Sequence, residues 1–314
     1  MRRKIIQQSA TSMGISLPSK WIKKQNLRKG DEIDVIEEPT GTLSIKTKEI
    51  KPTVINKASL DVEGMDRHEL SRAIRALYHQ RIDEITLTFN TKKISLLKEK
   101  KELGLVEACQ QICNSLIGLE ITKEEQNQII LQCFVSKEDT EKIENVERRI
   151  FLLIKDFMNN LLENIDNFSN FHKRVWQIHD NIAKFCDFYL RIVTYSSLSI
   201  ENKTAHYSLM FRMDNIVNQL RYLSDAIFRV GTITPKAKNY LKEFFSLFNT
   251  HYKFLYSIDN IDIKEVVKER YKLIRKTKQD NFTSKEYRII GELLFMFHIS
   301  NDFYNTKKIN EIEF

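Results

Sequence analysis

The sequence predicts a multidomain α+β protein with a small β-rich domain, a middle α/β domain and a C-terminal all-α helical bundle. Three of the four prolines (18, 39 and 52) lie in the first 52 residues. Residues 119–314 contain only Gly231, Gly291 and Pro235 as helix breakers, so this region is expected to be largely helical. Apolar spacing also changes along the chain, from alternation near the start to steps of three and four near the end. We place the domains at 1–51, 52–137 and 138–314.

Charge is distributed as unevenly as the helix breakers. The chain has 50 basic and 42 acidic residues, and residues 1–30 contain eight basic residues and no acid. The other 284 residues therefore carry 42 residues of each sign, and the whole net charge of +8 lies at one end. This pattern is typical of an anion-binding element attached to an otherwise neutral protein.

Composition excludes several classes of protein. With 42% hydrophobic and 29% charged residues, the chain is expected to be globular, and no apolar run approaches the roughly 18 residues that span a bilayer. The basic start has no apolar stretch, so we expect neither a signal peptide nor membrane insertion. Four cysteines without a CxxC pair argue against a disulfide scaffold or a zinc ribbon, and we expect a cytoplasmic location.

The first 46 residues predict the order β-β-α-β-β. Alternating apolar residues mark strands at 4–8, 15–17, 32–36 and 42–46, and Pro18 suits the start of a short basic helix. A unit of this size has too few apolar side chains for a core of its own. We therefore expect it to be an obligate dimer.

The front segment RKIIQQSATSMGISLPSKWIKKQNLRKGDEIDVIEE resembles the swapped-hairpin DNA-binding domain of the SpoVT/AbrB/MazE family. The most specific matches are Leu17-Pro18, the basic helix after it, and the stretch Leu27–Ile33. The resemblance implies a homodimer that contacts DNA. A loop arginine that some bacterial members carry is absent, and Ser12-Met13-Gly14 stands in its place.

The resemblance assigns DNA contacts to the first strand, its loop and the short helix. The two glutamines of the strand either read base edges or only cover the strand. The candidate DNA-binding residues are Arg2, Arg3, Lys4, Gln7, Gln8, Thr11, Ser12, Lys20, Lys23 and Lys24. Lysine and arginine would contact phosphates, which gives affinity without sequence information. Two other uses stay open, namely antitoxin-like protein binding and dimerisation with incidental charge.

The middle segment predicts the order β-α-β-α-β-β in a small α/β sandwich. Strands are predicted at 54–62, 85–89, 117–121 and 129–135, with a helix capped by Asp66 after the first. Cys109 and Cys113 are four residues apart on the second helix, and we interpret both as small apolar residues on its buried face.

Six amphipathic stretches follow and predict a bundle of six helices with shallow crossing angles. Asp187 and Arg191 on the second stretch have the spacing of an ordinary i,i+4 ion pair. The stretches Glu147–Ile154 and Met213–Asn218 resemble PhoU, a phosphate-uptake regulator. PhoU proteins bind cations through paired carboxylates, and Asp214 and Asn218 are the weak metal candidates here. Because an amide replaces one carboxylate, we expect neither metal nor cofactor.

The order of the three regions resembles archaeal fusion proteins described as phosphate uptake regulators. No catalytic constellation is visible, so the chain is expected to be a non-enzymatic DNA-binding transcriptional regulator linked to phosphate homeostasis. The resemblance also implies the ATPase of a phosphate transporter as a partner. One alternative is an adaptor that acts on that transporter and uses the front domain only to dimerise. Another is a metal-binding storage or redox protein.

Overall fold

The computed structural model confirms a mixed α+β chain with a strand-rich N-terminal region and C-terminal helices. The structure describes residues 3–9, 12–25, 27–37, 41–47, 55–135, 143–196, 198–256 and 262–301. The chain forms two compact units, which divide in sequence between Ile55 and Asn56.

The first unit consists of two short antiparallel hairpins with a helix between them in sequence. The first hairpin pairs β1 (Ile5–Gln7) with β2 (Met13–Ile15), and the second pairs β3 (Ile33–Glu37) with β4 (Leu43–Thr47). Between them, α1 (Ser19–Lys24) begins directly after Pro18, whose φ of −65° suits a helix start. This is the order that the sequence predicts.

The second unit begins with a four-stranded sheet. Its strands are β5 (Lys57–Asp61), β6 (Glu84–Thr88), β9 (Leu119–Glu124) and β10 (Gln128–Cys133), in the order β5-β6-β10-β9. The pair β5 and β6 is parallel, and α2 (Arg67–His79) makes the crossover between them. Helix α3 (Leu105–Asn114) precedes β9.

The sequence did not predict the small hairpin of β7 (Lys93–Leu96) and β8 (Lys101–Gly104), which lies before α3. Its only buried apolar residue is Ile94, since Leu96 and Leu103 are half-buried. Three apolar residues interrupted by the charged loop Lys98–Lys100 give little alternation, and this explains why the hairpin was missed.

Helix α2 shows how local chemistry fixes the elements that later form a site. Asp66 caps it as predicted, because its Oδ1 accepts hydrogen bonds from the backbone N–H groups of His68 and Glu69 at 2.6 and 2.8 Å. Glu69 returns a hydrogen bond by accepting from the backbone N–H of Asp66, which completes a capping box. The buried face carries Leu70, Ile74 and Tyr78, one per turn. The opposite face is therefore left for polar side chains.

Seven helices form the rest of the described chain. They are α4 (Ile143–Glu163), the one-turn α5 (Phe168–His172), α6 (Val175–Tyr195), α7 (Ile200–Val230), α8 (Pro235–Leu255), α9 (Ile263–Gln279) and α10 (Glu286–Asn301). Six of them correspond to the six predicted stretches. Helix α5 was not predicted, because five residues are too few to show a helical period. The helices and the sheet have separate hydrophobic cores.

The four cysteines are buried free thiols, as the sequence interpretation requires of Cys109 and Cys113. Burial raises the pKa of both these thiols to about 12, so they are protonated apolar side chains at neutral pH. Among the described helices, none is long and apolar enough to cross a membrane.

Candidate functional site

The candidate DNA-binding residues that the structure describes are exposed side chains of the first unit. Arg3 and Lys4 precede β1, and Lys20 and Lys23 lie three residues apart on α1. Ile5 pairs with Ile15, so the cations before β1 lie at the hairpin end from which the chain enters α1. Arg2, Thr11 and the side chain of Lys24 lie outside the described residues.

The polar candidates lie at the opposite end of the same hairpin. Gln7 is the last residue of β1, and the backbone N–H of Gln8 donates to the carbonyl of Ser12 at 3.0 Å across the turn. The side chain of Gln8 lies over Gly14, where a Cβ would come within 2.9 Å of its amide. Gln8 therefore covers the strand pair, whereas Gln7 carries no such contact in the described residues. The structure thus separates the cations from the glutamines along the hairpin.

Each hairpin of the first unit also presents an uncovered apolar face. Ile5 and Ile15 are cross-strand neighbours on the first hairpin and are 71% and 55% exposed, and Met13 extends the same face. On the second hairpin, Val35 is 57% and Leu43 is 67% exposed. No described side chain of residues 3–47 is buried. The described side chains of this unit therefore form no core within one chain.

In the second unit, a cluster of polar side chains from α2 and α6 lies between the sheet region and the helices, and we call this cluster the seam. One prediction from the sequence is wrong here. Asp187 and Arg191 are not an ion pair with each other. Asp187 instead binds the Arg75 guanidinium and accepts a hydrogen bond from Nε2 of His79 at 2.9 Å. Both partners come from α2, so the i,i+4 expectation was wrong because a neighbouring helix offers better partners than the same helix does.

Arg191 is fully buried and binds the C-terminal end of α2. Its Nη2 donates to Asp83 at 2.6 Å, and its Nη1 donates to the carbonyls of Tyr78 and Ile82 at 2.7 and 3.0 Å. Thr194 adds a hydrogen bond to the carbonyl of His79 at 2.9 Å. The last carbonyls of α2, which have no partner inside the helix, are thus bound by side chains of α6.

A groove with an accessible volume of about 860 Å³ lies directly beside this seam. One wall is the polar face of α2 together with the end of α3, and the other is formed by one face each of α6 and α7. The Arg75–Asp187–His79 cluster lines part of it, and Arg75 also donates to Ser115 at 2.9 Å. Burial, together with the charges of Arg75 and Arg191, lowers the pKa of His79 to about 4. His79 is therefore neutral at pH 7 and donates its Nε2–H to Asp187.

The α2 wall is basic and has unused hydrogen-bonding groups. Arg72 is exposed, and neither it nor the side chains of His68 and Ser71 bind any described residue. Ser71 and Arg72 follow His68 by three and four residues, so the three side chains lie on two successive turns of α2. Arg67 lies beside them and donates to Gln111 at 3.2 Å.

The facing wall contains the predicted metal candidates, Asp214 and Asn218. Nδ2 of Asn218 donates to Oδ2 of Asp214 at 3.2 Å, and its Oδ1 pairs with Nε2 of His179 at 3.1 Å. Oδ1 of Asp214 has no partner among the described residues. Burial raises the pKa of Asp214, although His179 and Arg75 act in the opposite direction. The amide thus presents an N–H to the carboxylate, and the two side chains form a hydrogen bond.

Within the part of the chain that the structure describes, no three His, Cys, Asp or Glu side chains are grouped closely enough to hold a metal ion. Glu147 on α4 is bound among the helices instead. Its two oxygens accept hydrogen bonds from Tyr189 and Tyr256 at 2.5 and 2.6 Å. Those hydrogen bonds and His206 outweigh burial and keep the pKa of Glu147 low. A charged Glu147 bound in this way orients two tyrosines of the core.

Comparison of the chain with protein-family models, with curated proteins and with solved structures finds no match.

The sequence singled out Asp214 and Asn218 but missed the groove that surrounds them. The signal was present as three polar or aromatic stripes at helical spacing, one on each of α2, α6 and α7. Each stripe alone looks like a solvent-exposed face. Only the packing of the three helices brings the stripes together.

Proposed function

We propose that the chain is a homodimeric DNA-binding transcriptional regulator linked to phosphate homeostasis, and not an enzyme. The observation that carries the DNA-binding part is the set of eight basic residues without an acid in the first 30 positions. The described members of this set are exposed, and the unit that holds them has uncovered apolar faces. The link to phosphate rests on the resemblance of the helical half to PhoU.

A second copy of the chain is the partner that the first unit requires. Burial of each large apolar side chain stabilises an association by about 1.5–3 kcal/mol, and each copy offers five such residues on its two hairpin faces. They are Ile5, Met13, Ile15, Val35 and Leu43. A dimer through these faces would double the basic residues to sixteen on one DNA-binding surface.

Electrostatic binding to phosphates predicts a steep dependence on salt. Each phosphate contact releases a counterion, so the plot of log affinity against log salt falls with a slope of about −0.9 per contact. Lys20→Ala/Lys23→Ala removes up to four contacts per dimer and should flatten that slope by up to about 3.6. Affinity for all sequences should fall together, because phosphates are the same everywhere.

The experiment measures binding of the full chain to a DNA duplex at several salt concentrations. Lys264→Ala/Lys272→Ala on α9 removes the same charge from exposed positions outside the first unit and serves as the matched control. The proposal predicts a flatter slope for the first variant and the parent slope for the control. Equal slopes for all three proteins would contradict it and favour the adaptor alternative.

The link to phosphate is tested separately by sequencing genomic DNA that copurifies with the native protein. Enrichment of promoters of phosphate-transport genes is the expected result. Even coverage, or enrichment of unrelated promoters, would remove the phosphate link while leaving DNA binding intact. Copurification of the transporter ATPase in the absence of DNA would support the adaptor alternative instead.

A further inference from the structure

The groove between α2 and the α6/α7 pair has the composition of a binding site for a small molecule with two chemically different ends. Its volume of about 860 Å³ lies in the range of 300–1,000 Å³ that is usual for ligand pockets. Apart from the paired Arg75 and Asp187, its positive groups Arg67 and Arg72 lie on α2, and its carboxylates Asp180 and Asp214 lie on α6 and α7. A ligand that spans the groove would therefore meet cations at one end and acceptors at the other.

The α2 end matches an anion that is small and rich in acceptors. The Arg72 guanidinium, the Ser71 hydroxyl and the His68 ring all lack partners among the described residues and lie on adjacent turns. A guanidinium with neighbouring hydroxyl and imidazole donors is the set that recognises a phosphate group. The neighbouring Arg75 does not compete, because Asp187 and Ser115 already bind it.

The α7 end matches a flat ring that carries N–H donors. Phe211 is 70% exposed and has no ring contact among the described residues, so a planar group can stack on its face. One turn further along α7, the free Oδ1 of Asp214 can accept a hydrogen bond from the edge of that ring. Because Asp214 lines the groove and this oxygen has no partner among the described residues, a donor from a ligand can bind it.

We propose that this groove binds a nucleoside monophosphate, with its phosphate on Arg72, Ser71 and His68 and its base against Phe211 and Asp214. A phosphate joined to a base through a sugar supplies the anionic end, the planar ring and the N–H edge in one molecule. The groove is lined by α2, the end of α3, α6 and α7, which all belong to the second unit. It therefore does not depend on DNA binding by the first unit.

The groove also adjoins the seam that joins the sheet region to the helices. Arg75, His79 and Asp187 line the groove and belong to that seam at the same time. A ligand held between α2 and α7 would thus add contacts across the same boundary. Binding should raise the melting temperature of the full chain in proportion to the logarithm of ligand concentration.

The test is calorimetric titration of the full chain with AMP, with adenosine and with inorganic phosphate as probes of one end each. AMP should bind at least about tenfold more tightly than adenosine or phosphate, because only AMP engages both ends. Arg72→Gln should weaken AMP binding by about tenfold and leave adenosine binding unchanged. Phe211→Ala should weaken AMP and adenosine by about tenfold and leave phosphate unchanged.

Arg149→Gln, at an exposed position of α4 outside the groove, is the matched control and should bind AMP as the parent does. Arg72 and Phe211 are exposed, so both variants should keep the circular dichroism spectrum of the parent. The proposal is overturned if AMP shows no binding up to about 5 mM, or if both variants bind it as the parent does. Phosphate that binds as tightly as AMP would also overturn it, since the base would then contribute nothing.

Discussion

The two units of the chain differ in where their apolar surface goes. In the second unit, two hydrophobic cores bury residues such as Leu70 and Ile74 in one and Ile154 and Phe157 in the other. In the first unit, Ile5, Met13 and Leu43 are all at least 67% exposed. The second unit can thus offset the entropy of folding within one chain, and the first cannot. This difference predicts that folding of the first unit depends on protein concentration, whereas folding of the second unit does not.

The largest expected effect comes from placing a charge on an apolar face of the first unit. Ile15→Glu removes an apolar contact of about 1.5–3 kcal/mol from each of two copies, so the dimer dissociation constant should rise at least about a hundredfold. Ser16→Glu adds the same charge at the next residue, which is polar and exposed, and serves as the matched control.

Sedimentation equilibrium of the full chain distinguishes the two variants. The parent and Ser16→Glu should be dimers at concentrations where Ile15→Glu is monomeric. The second unit should melt at the same temperature in all three proteins, because it has its own cores. A dimer that survives Ile15→Glu unchanged would place the interface elsewhere.

The second effect concerns the seam of the second unit. Arg191→Met removes the cationic partner of the buried Asp83 and the side-chain donor to the carbonyls of Tyr78 and Ile82. Loss of one member of a buried ion pair costs about 3–5 kcal/mol, so urea unfolding should show a loss of that size. The exposed Arg149→Met should change stability by no more than about 0.5 kcal/mol. A loss below about 1 kcal/mol for Arg191→Met would mean that the seam does not hold the regions together.

A smaller effect is expected at Glu286, which joins the starts of α8 and α10. Its carboxylate accepts hydrogen bonds from the backbone N–H and the hydroxyl of Thr234, at 2.8 Å each. It also accepts from the N–H and the hydroxyl of Thr283, at 3.0 and 2.8 Å. Glu286→Ala should cost about 2–3 kcal/mol and Glu286→Gln less, because the amide keeps one acceptor. Equal losses for the two variants in urea unfolding would contradict this account.

The same residue predicts a dependence on pH. Burial alone would raise the pKa of Glu286, but its four hydrogen bonds outweigh burial and lower it. A carboxylate whose pKa is lower when folded stabilises the fold above its unfolded pKa of about 4.3 and loses that contribution as pH falls through the folded value. The stability difference between the parent and Glu286→Ala should therefore shrink below about pH 4. If the stability difference between the parent and Glu286→Ala stays constant down to pH 2, the loss in the variant comes from side-chain packing and not from the charge of Glu286.

The sequence predicted the parts of the fold that local patterns determine. The β-β-α-β-β order, the Asp66 cap and the six long helices follow from alternation, capping chemistry and steps of three and four. The β7-β8 hairpin and α5 were missed because short elements show less than one full period. The seam was missed because Asp83 and Arg191 are 108 residues apart, and no local pattern couples them. For the same reason, the sequence identified Asp214 but not the α2 side chains opposite it.

The most direct test of the difference between the two units is amide hydrogen exchange of the full chain at several protein concentrations. We predict that protection of residues 3–47 rises with concentration and saturates when the dimer is fully formed. Protection of residues 56–135 and 143–301 should stay constant over the same range, since their cores lie within one chain. Strong protection of residues 3–47 that persists at concentrations where the chain is monomeric would contradict the account.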